Sequence, residues 1–172
     1  ISMRLFAEEF RTGTIETIMT APVREGVLVG GKFLAAVLLL ISMLLPTVVY
    51  VIILDQLSRP DFGPILSGYL GLLLLGMLYL AIGTLASVLT SSQTLSFLAT
   101  LFALLLLDFV PGQLASHLSA PFDAAVLAVS PARRMADFTS GLIDTQHIAF
   151  FLAATLWFLA LSTVVLQSRR WR

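Results

Sequence analysis

Cysteine is absent from the chain, which excludes disulfides and thiolate metal sites. Charge is scarce. Asp, Glu, Lys and Arg make up 12% of the residues, where soluble domains carry about 25%. The few charges sum to zero, so the basic field that nucleic acid would require is missing. Residues 62–107 form a run of 46 without a single charge. No signal peptide and no initiator Met opens the chain, and Ile1-Ser2-Met3 reads as the exit of an apolar segment, so a fragment is expected. Enzyme signatures are lacking as well: there is no Gly-x-Ser-x-Gly, no His-Glu-x-x-His and no thiol nucleophile. Ser67-Gly68 lacks the first Gly of a nucleophile elbow. His117 and His147, the only histidines, have no metal-ligand spacing, so both read as plain interfacial residues and no metal is expected.

What is present is apolar, 58% of the residues. A helical span needs about 20 apolar residues, so the uncharged run holds two. Four spans are predicted, at residues 33–54 with Pro46 as a kink, 65–89, 94–110 and 148–166. They must be helical, because lipid offers backbone groups no hydrogen-bond partners. The predicted fold class is therefore an all-α integral membrane protein, with a polar segment over residues 1–32 and a transmembrane domain over 33–172. Residues 111–147 are mixed and broken by Pro121, Pro131 and Gly141; short interfacial or re-entrant helices are expected there. Four spans put both ends on one side. That side carries Arg4, Arg11, Arg24, Lys32, Arg169, Arg170 and Arg172 against Arg59, Arg133 and Arg134 on the other, which predicts cytosolic termini.

Gly26 to Lys32 matches Gly-x-x-x-x-Gly-Lys. A phosphate loop needs a strand before it and Ser or Thr after the Lys; here Phe33 follows and a span begins. The better reading is small residues that let the backbone turn into the membrane, with Lys32 snorkelling to the headgroups. Residues 14–20 read as a short helix. Gly13 and Thr14 begin it, Glu16 suits its positive end, and Pro22 closes it. Ile15, Ile18 and Met19 make one apolar face. That face fits a groove on a partner protein or the membrane surface, and the period alone leaves both open. Glu8, Glu9 and Arg11 precede this helix as a solvated face, as partners of the chain's own Arg4 or as partners for another chain.

Gly76, Gly83, Ser87 and Thr90 lie within about 60° of one another on the second span, taking 100° per residue. Ser96, Thr100 and Ala103 form a similar small stripe on the third. Such stripes let membrane helices approach closely, either within the chain or at a seam with a second subunit or a translocation wall. Asp108 falls at the end of the third span. It is a candidate for a polar pathway or a simple helix-end acid reached by water.

Several of these stretches carry a resemblance. Met3 to Glu9, Gly13-Thr14, Glu16, Thr20 to Val23 and Gly31-Lys32-Phe33 resemble a cytosolic segment in permease subunits of type-two ABC exporters, especially the gliding-motility branch. Asp61 to Gly76, Ala81-Ile82-Gly83, Phe138, Gly141, Ile143, Asp144 and Gln167 to Trp171 are similar to later parts of the same family. Little corresponds between Pro111 and Met135. The resemblance implies a six-span subunit, of which this chain lacks the first two, in a bacterial inner membrane. It implies a second permease, identical or related, and a separate ABC ATPase that holds ATP and Mg, with no cofactor on this chain. It also turns residues 14–20 into a coupling helix. The rival is a membrane structural or interaction subunit without transport.

The absence of Cys makes the topology directly testable. With Cys placed at Ser58 and at Ser168, an impermeant thiol reagent on intact cells is expected to label the first and spare the second. Equal labelling would overturn the topology.

Overall fold

The computed structural model describes residues 5–12, 25–57, 60–117 and 126–170. Among them every regular element is helical: α1 (Ala7–Thr12), α2 (Glu25–Leu44), α3 (Val48–Leu57), α4 (Phe62–Leu89), α5 (Gln93–His117), α6 (Pro131–Thr139) and α7 (Thr145–Arg170). Four stretches are long and apolar enough to cross a membrane: Glu25–Leu57, Phe62–Leu89, Gln93–Ala115 and Thr145–Ser168. The chain is a multi-pass, all-α membrane protein.

Glu25–Leu57 is one span in two pieces. Pro46 has no amide hydrogen, and the α-helix gives way there to one 3-10 turn, Leu45–Thr47. Thr47 Oγ1 lies 2.6 Å from Leu44 O and 2.8 Å from Tyr69 Oη of α4, which ties the break to the neighbouring helix. The stretch of 33 residues would reach about 50 Å at 1.5 Å per residue, more than the roughly 30 Å of hydrocarbon. It is thus longer than an upright crossing needs, and the helix starts at Glu25, ahead of the predicted Phe33.

The bundle is built around α4. Over half of its most apolar window is buried (56%), against 6%, 11% and 17% for the other three spans. It packs on α7, α5, α6 and α2, and α2 also touches α7. Three apolar clusters follow one another along it. Phe6, Val29, Val88 and Leu166 fill the end where α2 starts and α7 finishes, the terminal face. Phe33, Ala36, Val37, Leu80 and Ala81 follow, then Leu74, Leu78, Ile82, Phe138 and Phe151 toward the opposite face. Outward side chains such as Leu34, Leu38, Phe102, Phe109 and Trp157 are exposed, as lipid contact requires.

The opposite face is capped by α6. Ser130 precedes it in extended conformation with Pro131 in the first turn. Its last turn closes on Gly141 at φ +91°, with Gly141 N donating to Phe138 O at 3.2 Å and Leu142 N to Asp137 O at 3.1 Å. This left-handed closure favours Gly. Asp144 then starts α7, its Oδ1 accepting from Gln146 N at 2.9 Å. Phe138, Gly141 and Asp144, spaced as the sequence has them, are thus a buried anchor, a helix stop and a helix start.

α6 reaches α4 because Gly71 leaves room. A Cβ added there would lie 2.8 Å from Phe138 Cβ and 2.9 Å from Met135 Sδ, whereas one added at Gly68 would meet nothing within 4 Å. Ser67 Oγ adds a 2.6 Å bond to Phe138 O. Gly71→Ala is expected to destabilise the protein by about 1–3 kcal/mol through overpacking, with Gly68→Ala near neutral. Thermal unfolding in detergent checks this, and equal melting of the two variants would contradict the close approach.

Candidate functional site

The predicted site residues fall at three levels of the bundle. At the terminal face, α1 carries Glu8 and Glu9 and leads to Gly13, Thr14, Ile15, Glu16, Ile18, Met19 and Pro22. Those last seven, with the proposed coupling helix, lie outside the described residues. What precedes them is held firmly. Phe6 and Ala7 are fully buried. Their amides both donate to Ser87 Oγ of α4, at 3.0 and 2.9 Å. The first amides of a helix have no partner within it, and a side chain usually caps them from just upstream. Here the capping oxygen comes from a span 80 residues away.

Lys32 of α2 completes the arrangement. It bonds Leu5 O and pairs with Glu9, and its Nζ sits 4.2 Å from the centre of the Phe6 ring. The sequence expectation that Lys32 snorkels to the headgroups is therefore corrected. A carbonyl, a carboxylate and an aromatic face converge on its ammonium group, and such charge-assisted contacts in a half-buried site hold it inside the protein. Glu9 is likewise committed within the chain, while Glu8 is exposed.

At mid-depth, Gly76 faces Leu40 of α2: an added Cβ would come within 2.6 Å of Leu40 Cδ2. Gly83 is buried in α4. Thr90 Oγ1 bonds Ala86 O and Thr100 Oγ1 bonds Ser96 O, each closing on its own helix. Ser96 Oγ is buried without a partner among the described residues, and Ala103 packs against the Leu74–Phe151 cluster. Within the α4 stripe, Gly76 thus turns toward α2 and Ser87 toward α1.

Asp108 does not end its helix. α5 continues through Pro111 to His117, and Tyr79 Oη of α4 donates to Asp108 Oδ2 at 2.5 Å. Asp108 Oδ1 is buried and unpartnered among the described residues. A protein donor, rather than open water, meets this acid inside the span. The sequence reading missed Tyr79 because donor and acceptor lie on different spans, 29 positions apart.

Toward the opposite face, α6 and α7 are latched by charge. Arg134 donates to Ala128 O from Nε at 3.1 Å and from Nη2 at 2.7 Å, and stacks 4.0 Å over the Phe150 ring. Its Nη1 lies 2.9 Å from His147 Nδ1. Arg has only donors, so Nδ1 accepts and Nε2 carries the proton toward Asp137 Oδ2, 2.8 Å away. His147 is therefore more than a plain interfacial residue: it joins two helices. Two apolar grooves of about 720 and 630 Å³ run along α3, sharing Tyr69, Val51 and Ile65 as lining. No group of His, Asp and Glu able to hold a metal occurs among the described residues.

Gly71 and Ser67 were also missed. The signal was available as the small-xxx-small pair Ser67 and Gly71, one turn before the stripe that was chosen.

The Tyr79–Asp108 bond makes a prediction. Tyr79→Phe leaves the buried acid without a donor and is expected to cost roughly 1–3 kcal/mol, read as earlier unfolding in detergent. Tyr79→Phe combined with Asp108→Leu should recover most of that loss. A double variant no more stable than the single one would show that the bond is not what matters there.

Comparison with known proteins adds a family. The family described as "ABC-2 family transporter protein" matches residues 1–171. No curated protein and no solved structure matches the chain.

Proposed function

The chain belongs to the ABC-2 family of transporter proteins, a permease component of an ABC transporter, and from that premise we propose that it couples a separate ATPase to export across a bacterial inner membrane. The terminal face lies in the cytosol. A second permease, identical or related, completes the translocation path, and two ATPase subunits hold ATP and Mg. This chain contributes no hydrolytic group. Residues 14–20 form the coupling helix, with Ile15, Ile18 and Met19 seated in a groove of the ATPase. The likeness to the gliding-motility branch makes motility-linked export the first assay to try.

One observation supports this reading above the others. The charged segment does not trail from the membrane domain; it is built into it through Ser87, Lys32 and the burial of Phe6. A membrane-surface anchor has no need of such a fixture, whereas a lever needs a fulcrum. When ATP draws the ATPase subunits together, the coupling segment moves, and rigid helices pivot between inward and outward states.

The test combines recovery and stimulation. Full-length tagged protein purified in detergent is expected to bring down an ABC ATPase, identified by mass spectrometry, and to raise its turnover. Ile18→Glu puts a charge on the apolar face of a helix of about two turns, which is marginal alone in water and relies on its groove. The variant should insert and fold normally yet lose the stimulation, while Glu16→Gln loses far less. Normal stimulation by Ile18→Glu would falsify the coupling assignment and leave a helix lying on the membrane.

A further inference from the structure

We propose that Ser87 and Lys32 are positioning residues for energy coupling: they weld α1 to α4 and α2, so that force on residues 13–24 is delivered to the central helix. This rests on the coupling reading above and adds which span receives the push and through which atoms.

Residues 13–24 leave from the end of α1 and return at the start of α2. A lever moves a bundle only if its attachment is stiffer than the lever's own joints. Both attachments here are cross-braced by one side chain, since Lys32 of α2 reaches Leu5 O and Glu9 on the α1 side. The loop's two ends therefore move together.

The second brace sets the recipient. Ser87 Oγ holds two consecutive amides, Phe6 and Ala7. Two bonds to one oxygen fix the direction of the chain as well as its distance, so α1 cannot swing about a single contact. Ser87 lies in the last turn of α4, the helix on which α2, α5, α6 and α7 all pack. Phe6 fills the gap between Val29 of α2, Val88 of α4 and Leu166 of α7, leaving no slack at the foot of the bundle. A displacement at α1 thus reaches α4 through the Ser87 bonds, beside the contact that α1 also makes with α5, and through α4 the cluster with Phe138 and Phe151 toward the opposite face.

The arrangement separates holding the ATPase from transmitting its motion. Ser87 and Lys32 are engaged inside the chain, and neither belongs to the apolar set Ile15, Ile18 and Met19 proposed to meet the ATPase. Loosening the joint should leave the partner bound and its stroke wasted.

The test uses the full-length protein, reconstituted in lipid nanodiscs with the ABC ATPase recovered from the wild type. Ser87→Ala removes the shared acceptor; Lys32→Met keeps the apolar stem over Phe6 and deletes both bonds. Each variant should retain the ATPase as well as wild type and keep its KM for ATP, while stimulated turnover falls about tenfold, within the usual range of coupling between sites. Ser87→Thr, which keeps the hydroxyl, should restore turnover. Hydrogen exchange at the Phe6 and Ala7 amides should quicken in Ser87→Ala and not in Ser87→Thr. Wild-type turnover in both deletion variants with the ATPase bound would overturn the inference. So would a parallel loss of ATPase binding and melting temperature in both, which marks a merely structural contact. A wild-type chain that recruits no ATPase would instead sink the coupling function itself, and this inference with it.

Discussion

Helices already in lipid gain little from the hydrophobic effect when they meet, so they associate by close packing and by hydrogen bonds between spans. Everything in this bundle depends on how α4 meets that condition. It offers small residues where neighbours must come near: Gly71 under Phe138 and Gly76 under Leu40. It offers polar side chains where backbone or acid needs a partner: Ser67 to Phe138 O, Tyr79 to Asp108, Ser87 to two amides of the terminal segment. The terminal segment, α2, α5 and α6 are each thereby held to α4 by a contact that lipid cannot supply. The outer faces of Glu25–Leu57, Gln93–Ala115 and Thr145–Ser168 nevertheless remain largely uncovered.

The two ends of α4 solve different problems. Near its start, α6 is pinned by the Gly71–Phe138 approach and the Ser67 bond, and α6 is latched to α7 through Arg134, His147 and Asp137. The result is a braced cap. At its other end, Ser87 and Lys32 secure residues 5–9 against α4 and α2. A bundle braced at one end and gripped at the other suits rigid-body tilting better than local bending.

The fold class was legible in the sequence because its cause is solvent. Too few charges and an uncharged run of 46 residues leave helices in a bilayer as the available answer. The family was legible in the segment before Phe33 and in the spacing of Phe138, Gly141 and Asp144, whose roles as anchor, stop and cap are local properties of backbone and side chain. Helix limits were less legible: α2 starts at Glu25 and α5 continues to His117, because a helix does not end where hydrophobicity does.

The site was legible only in part. Sequence periodicity placed Gly76 and Ser87 on one face of α4, and that much follows from helical geometry. It left open whether that face packs within the chain, at a seam with a second subunit or along a translocation wall, whereas the bundle turns Gly76 toward Leu40 and Ser87 toward the amides of Phe6 and Ala7. Lys32 reads as a headgroup anchor and is instead a brace; Asp108 reads as a polar-pathway candidate or a helix-end acid, and the bundle sets it within its helix against Tyr79. Composition and period determine which medium a helix lies in and which side chains share a face. Partners across helices depend on rotation and depth, which are set jointly by every span in the bundle, and so only the tertiary structure decided them.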